Sequence, residues 1–158
     1  MPVLVKCTEW KGESKVEGFS DYFEVSSFQF GVGRAISAAR GTSAREGNIV
    51  SVSEITLTKV SDQTSIKLFE EALHGSLDRK VEIAFIRQGK GNKPVAYLTM
   101  KLEGCGISGF SMSSGGDRPT ESLTLNFDKV EYNYDPISDD LSGKPIKYSW
   151  DLSKAVGA

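Results

Sequence analysis

The stretch Leu123-Thr124-Leu125-Asn126-Phe127-Asp128-Lys129-Val130-Glu131-Tyr132-Asn133-Tyr134 decides the fold class. Its apolar residues occupy odd positions as far as Phe127 and even positions from Val130. A period of two marks a half-buried strand, because successive side chains point to opposite faces. A one-residue slip midway requires a β-bulge, or a strand that changes the sheet it faces. The same slip occurs twice upstream. Phe23 and Val25 are odd, whereas Phe28, Phe30 and Val32 are even; Val50 and Val52 are even, whereas Ile55 and Leu57 are odd. Three long, bent strands predict a mainly β chain that forms a closed or nearly closed barrel rather than a flat sandwich.

Simpler strands surround these. Ala96, Leu98, Met100 and Leu102 alternate with Tyr97, Thr99, Lys101 and Glu103. Val81, Ile83 and Phe85 precede them across a turn at Gly89 to Pro94. Ile146, Tyr148, Trp150 and Leu152 predict a last half-buried strand. One flanking α-helix is predicted over Thr64 to His74. Asp62, Thr64 and Ser65 offer oxygens for its N-terminus, and Gly75 supplies its stop. Ile66, Phe69 and Leu73 form its apolar stripe, widened by Leu68 and Ala72, so the helix should cover one face or close one end of the barrel. Gly31 to Asn48 reads as a long extended loop, rich in Gly, Ala and Ser. It is basic in an acidic protein, with Arg34, Arg40 and Arg45 against Glu46. It is either an ordered arm that contacts a partner or a mobile tip.

With 158 residues, no internal repeat and no linker, the chain reads as a single domain, 1–158. Its net charge of -2 carries no dominant basic patch, which argues against nucleic acid as a partner. No apolar run approaches the ~20 residues of a membrane helix, so membrane insertion is not expected. Near the N-terminus, Pro2-Val3-Leu4-Val5 is the only apolar run before charged Lys6 and Glu9. The expectation is a protein that folds in the cytoplasm and, if it is exported, leaves without a cleaved signal peptide.

Motifs for chemistry are incomplete. Cys7, Cys105 and a single histidine make no zinc set, and the cysteines read as small strand hydrophobes rather than a disulfide. Gly104-Cys105-Gly106-Ile107-Ser108-Gly109 has the spacing of a dinucleotide loop, but Phe110-Ser111-Met112-Ser113 follows where a helix is needed. The plainer reading is a strand whose small residues admit a close neighbour. Gly109-Phe110-Ser111-Met112-Ser113 is one glycine short of a nucleophile elbow, and His74 belongs at the helix end. Glu70-Glu71 and Asp139-Asp140 are adjacent pairs whose side chains diverge. Trp10, Tyr22, Tyr97, Tyr132, Tyr134, Tyr148 and Trp150 could form a sugar platform, but alternation on strands favours core or interface. No enzyme activity, cofactor or metal is expected.

Four stretches resemble the haemolysin-coregulated protein family, the inner-tube subunit of bacterial type VI secretion systems. They are Tyr22 to Gly31, Ser53 to Lys59 followed by Ser65 to Phe69, Ser113 to Phe127, and Tyr148-Ser149-Trp150-Asp151-Leu152. Phe28 and Phe30 stand where the family often has tryptophan, and Ser149 where glycine is expected. The resemblance implies a β-barrel of two packed sheets with one flanking helix, and a homo-hexameric ring that stacks into a tube. The tube lies inside a contractile sheath, is tipped by a spike protein, and carries effector proteins in its lumen. On that reading Arg34, Arg40 and Arg45 reach a neighbouring subunit, where Asp139, Asp140 and Asp135 are candidate partners. Gln29, opposite in phase to Phe28 and Phe30, would face out, toward the lumen. The alternatives are a monomeric carbohydrate- or ligand-binding β module, or a phage tail-tube protein.

Overall fold

Each phase slip proves to be a change of sheet. The computed structural model describes residues 2–38, 45–136 and 144–157, and the side chains of all of these except 35–38 and 45–49. The strands are β1 (Val3–Cys7), β2 (Phe23–Val25), β3 (Ser27–Gln29), β4 (Val32–Ala38), β5 (Arg45–Val52) and β6 (Ile55–Val60). After the helix α1 (Thr64–His74) come β7 (Arg79–Gln88), β8 (Pro94–Ser113), β9 (Thr120–Asn126), β10 (Lys129–Tyr134), β11 (Ile146–Asp151) and β12 (Val156–Gly157). One sheet has the order β12-β11-β10-β8-β7-β1-β2; the other runs β3-β6-β9-β8. The chain leaves the first for the second between β2 and β3 at Ser26. It returns to the first between β9 and β10. Between β5 and β6 it enters the second from a separate hairpin.

The long bent strands predicted from the slips are therefore pairs of shorter strands. The long bent strand is β8, whose 20 residues serve both sheets. Its first part pairs with β7 and β10, and Gly106 to Ser113 pairs with β9. Gly104 makes the turn between the two parts. It has φ +61°, and a Cβ there would collide with the Asp128 carboxylate. Phase alone does not separate a bulge from a sheet switch, because both shift the buried face by one residue.

The two sheets share β8 and are joined again along the chain at Ser26, whose amide and hydroxyl both donate to the Thr58 carbonyl at 2.6 and 2.9 Å. No ladder joins β2 to β3, so the sheets pack without closing into one hydrogen-bonded cylinder. Between them lie Ile55, Leu57, Leu123 and Leu125, all fully buried, against Val5, Phe23, Ile83, Met100 and Leu102. Each such side chain contributes about 1.5–3 kcal/mol.

Gly31 to Asn48 is not the expected loop. β4 and β5 pair antiparallel, from Val32↔Val52 to Ala38↔Arg45, with a bulge between Arg34 and Ile36. The hairpin forms a two-stranded sheet of its own. Val32 begins β4 and Val52 ends β5, with Ile36 and Val50 inside them, and their β-propensity acts despite the Gly and Ala between them.

Candidate functional site

The helix has the predicted boundaries but not the predicted orientation. Its buried residues are Thr64, Leu68 and Glu71, at helical spacing, and Ala72 packs beside them. Ile66, Phe69 and Leu73, the expected buried stripe, are 77%, 53% and 67% exposed, and Leu77 beyond the helix is 74% exposed. Polar contacts determine which face turns inward. The Thr64 hydroxyl donates to the Lys11 carbonyl at 3.1 Å. Arg79 donates to both oxygens of Glu71, at 3.2 and 2.9 Å. Burial pushes the Glu71 carboxyl up, but the hydrogen bonds and charge of Arg79 outweigh it and hold the carboxyl below its ordinary range. A two-bonded guanidinium–carboxylate pair at a buried position fixes the rotation of the helix more firmly than three apolar side chains able to face water.

A second polar anchor holds the start of the helix. Lys59 is fully buried, directly opposite Glu121 on the neighbouring strand. Its ammonium donates to Glu121 Oε2 at 3.1 Å, Asp62 Oδ1 at 2.9 Å, Ser65 Oγ at 3.1 Å and the Val60 carbonyl at 3.0 Å. Ser61 and Ser65 hydroxyls donate to Glu121 at 2.9 and 2.8 Å. Gln63, not one of the expected residues, holds the N-cap position and makes no side-chain cap bond; Asp62 Oδ1, one residue earlier, accepts from the Thr64 amide at 2.9 Å. The sequence carries a signal for this cluster that the reading above did not use. Lys59 continues the buried phase of Ile55 and Leu57, and Glu121 that of Leu123 and Leu125.

Beyond the core, β10 and β11 present a second apolar area. Phe30, Val32, Val50, Val52, Tyr132, Tyr148 and Trp150 border a groove of about 320 Å³ floored by Val130. The predicted half-buried strand ending the chain is thus largely outside the core. Ile146 and Tyr148 are 67% and 57% exposed, and only Trp150 and Leu152 pack partly on the core.

The outer face of the second sheet has a different character. Gln29 is exposed between the half-buried Phe28 and Phe30, as the alternation requires. It pairs across the sheet with Thr56, which pairs with Thr124; beside this row run Ser27, Thr58 and Ser122. Both rows are rich in hydroxyls, and the exposed Glu54 carboxylate borders them, accepting from the Ser108 hydroxyl at 2.6 Å and the Asn126 amide at 3.3 Å.

The other candidate residues are placed as follows. Arg34 is exposed at the base of the hairpin, opposite Val50. Arg45 pairs through its backbone with Ala38, and its side chain is outside the described set. Arg40, Asp139 and Asp140 lie outside the described residues. Asp135 is exposed, its amide donating to the Tyr97 carbonyl at 2.8 Å. Cys7 and Cys105 are buried free thiols. Burial pushes both up to about 12, with the hydrogen bond to Glu9 adding at Cys7. His74 is at the helix end with its side chain 72% exposed.

Comparison with known proteins accounts for this arrangement. Residues 4–134 match the family model described as "Type VI secretion system effector, Hcp". The chain belongs to the Hcp family. Protein hcp1 of Pseudomonas aeruginosa is 33% identical over 113 residues, 69% of each chain. Among solved structures, one described as a type six secretion system protein superposes with a TM-score of 0.88 at 23% identity, over 99% of both chains. Hcp1 from Salmonella typhimurium gives 0.79 at 18% identity, over 99% of this chain and 98% of that one. At those identities the structures establish the Hcp fold, and the family model establishes membership.

Proposed function

We propose that this Hcp protein is the structural subunit of a type VI secretion inner tube and not an enzyme. Copies assemble into a homo-hexameric ring, and rings stack into a tube within a contractile sheath behind a spike protein. The subunit folds in the bacterial cytoplasm and is exported with the tube, carrying effector proteins in its lumen. The match to the Hcp family across residues 4–134 carries this reading. Two apolar areas outside the core support it, because a chain acting alone rarely exposes several large hydrophobic side chains together. The hydroxyl-rich face around Gln29 fits the lumen role, since it offers a cargo many hydrogen-bonding groups, with Glu54 the charge at its edge.

Electron microscopy of the purified chain tests the ring directly. Six-fold annular particles are expected; particles without rotational symmetry would contradict it. Export is tested by immunodetection in culture medium from a host with an intact sheath and one with the sheath disrupted. Signal of equal strength from both hosts would exclude export with the tube. For the lumen, Gln29→Arg should abolish co-purification of cargo from rings that remain intact, and undiminished cargo would remove Gln29 from the lining.

A further inference from the structure

Among the described residues, two exposed apolar patches share no residue. One is the outward stripe of α1, Ile66, Phe69 and Leu73, continued by Leu77 after the helix and by Met112 at 59% exposure on β8. Phe69 is braced edge-on against Phe110 at 5.9 Å, so its ring is held rather than free to fold back. The patch is convex, because a helix ridge carries it. The other is the concave groove between the base of the β4–β5 hairpin and the β10–β11 face, with Val32 61%, Tyr132 46% and Tyr148 57% exposed.

We infer that the convex helix stripe of one copy docks in the β10–β11 groove of the next, and that this contact closes the ring. The inference rests on the ring reading above and names its surfaces. Three observations carry it. The first is shape: a ridge of side chains at i, i+3 and i+7 fits an apolar channel, the general mode of a helix in a groove. The second is area. Large side chains offer on the order of 150–250 Å² each, so these exposures leave roughly 500 Å² of apolar surface per patch. Joined, they bury about 1,000 Å² before any polar rim is added, close to the ~1,200–2,000 Å² of a stable interface. The third is topology. A cyclic ring above a dimer needs two different patches per subunit, so that each copy is donor to one neighbour and acceptor to the other. At the rims, Arg34 stands exposed beside Val32, and Lys67 and Glu70, paired with each other at 3.6 Å, border the helix stripe.

The pairing predicts complementation. The variant Ile66→Glu/Leu73→Glu loses the ridge and keeps the groove; Val32→Glu/Tyr132→Glu loses the groove and keeps the ridge. By light scattering each alone should fall from the ring to the single-chain mass of 17.2 kDa. Mixed in equal amounts at high concentration, they should form a heterodimer of twice that mass and nothing larger. Far-ultraviolet circular dichroism and a thermal melt check that each variant is folded. Serine in place of glutamate at the same positions gives a milder pair with the same expectation. Rings from either folded variant alone, or a mixture that stays at the single-chain mass, would overturn the helix-in-groove contact and leave the ring reading standing. A monomeric wild type would overturn both.

Discussion

Ile55, Leu57, Leu123 and Leu125 have no exposed surface, whereas Ile66, Phe69, Leu73 and Leu77 are 53–77% exposed. Both sets are regularly spaced aliphatic and aromatic residues, the first at strand period and the second mainly at helical period. The difference lies in the residues between and beside them. In the sheets the apolar phase is the only one able to face the interior. In α1 two faces compete, and the inward one wins through Thr64, Leu68, Glu71 and Ala72. Hydrophobic periodicity thus reports that a face is to be covered. It does not report whether the chain itself or a second copy covers it.

The contrast can be broken most severely at the polar anchors. Lys59→Met leaves the buried Glu121 carboxylate without its counter-charge and should cost about 3–5 kcal/mol, read as a lower midpoint in urea. Adding Glu121→Leu should recover much of that loss. Leu125→Ala, in the covered set, should cost about 2–5 kcal/mol. Glu71→Gln should cost about 1–3 kcal/mol by weakening the Arg79 pair. It should also flatten the acid limb of the stability curve. The folded Glu71 carboxyl lies below its ordinary 4.5, so its contribution is fully present above that pH and lost as pH falls through the lower folded value. Leu73→Ala, in the outward set, should change the stability of the dilute chain by no more than about 0.5 kcal/mol. A loss comparable to that of Leu125→Ala would show that the helix stripe supports the monomer after all.

Much of the fold was legible because strand alternation is imposed by one buried face. The helix boundaries followed from Asp62 and Gly75, and Gln29 faces out because Phe28 and Phe30 face in. The helix orientation was not legible from apolar spacing, because a buried ion pair decided it and its partner, Arg79, lies eight residues beyond Glu71. The hairpin was obscured by its Gly, Ala and Ser content, although Val32, Ile36, Val50 and Val52 were there to indicate strands. The groove could not be read at all, since it arises where β4 and β5 come beside β10 and β11. The lining residues of the two segments are 78 (Val52 to Val130) to 120 (Phe30 to Trp150) positions apart in the sequence.

The mass of the wild-type chain in solution, measured by size exclusion with light scattering, tests the central claim most directly. A single species near six times 17.2 kDa, persisting on dilution, is the predicted result. A species of 17.2 kDa at every concentration would contradict it, because both apolar patches would then be exposed with no copy to cover them.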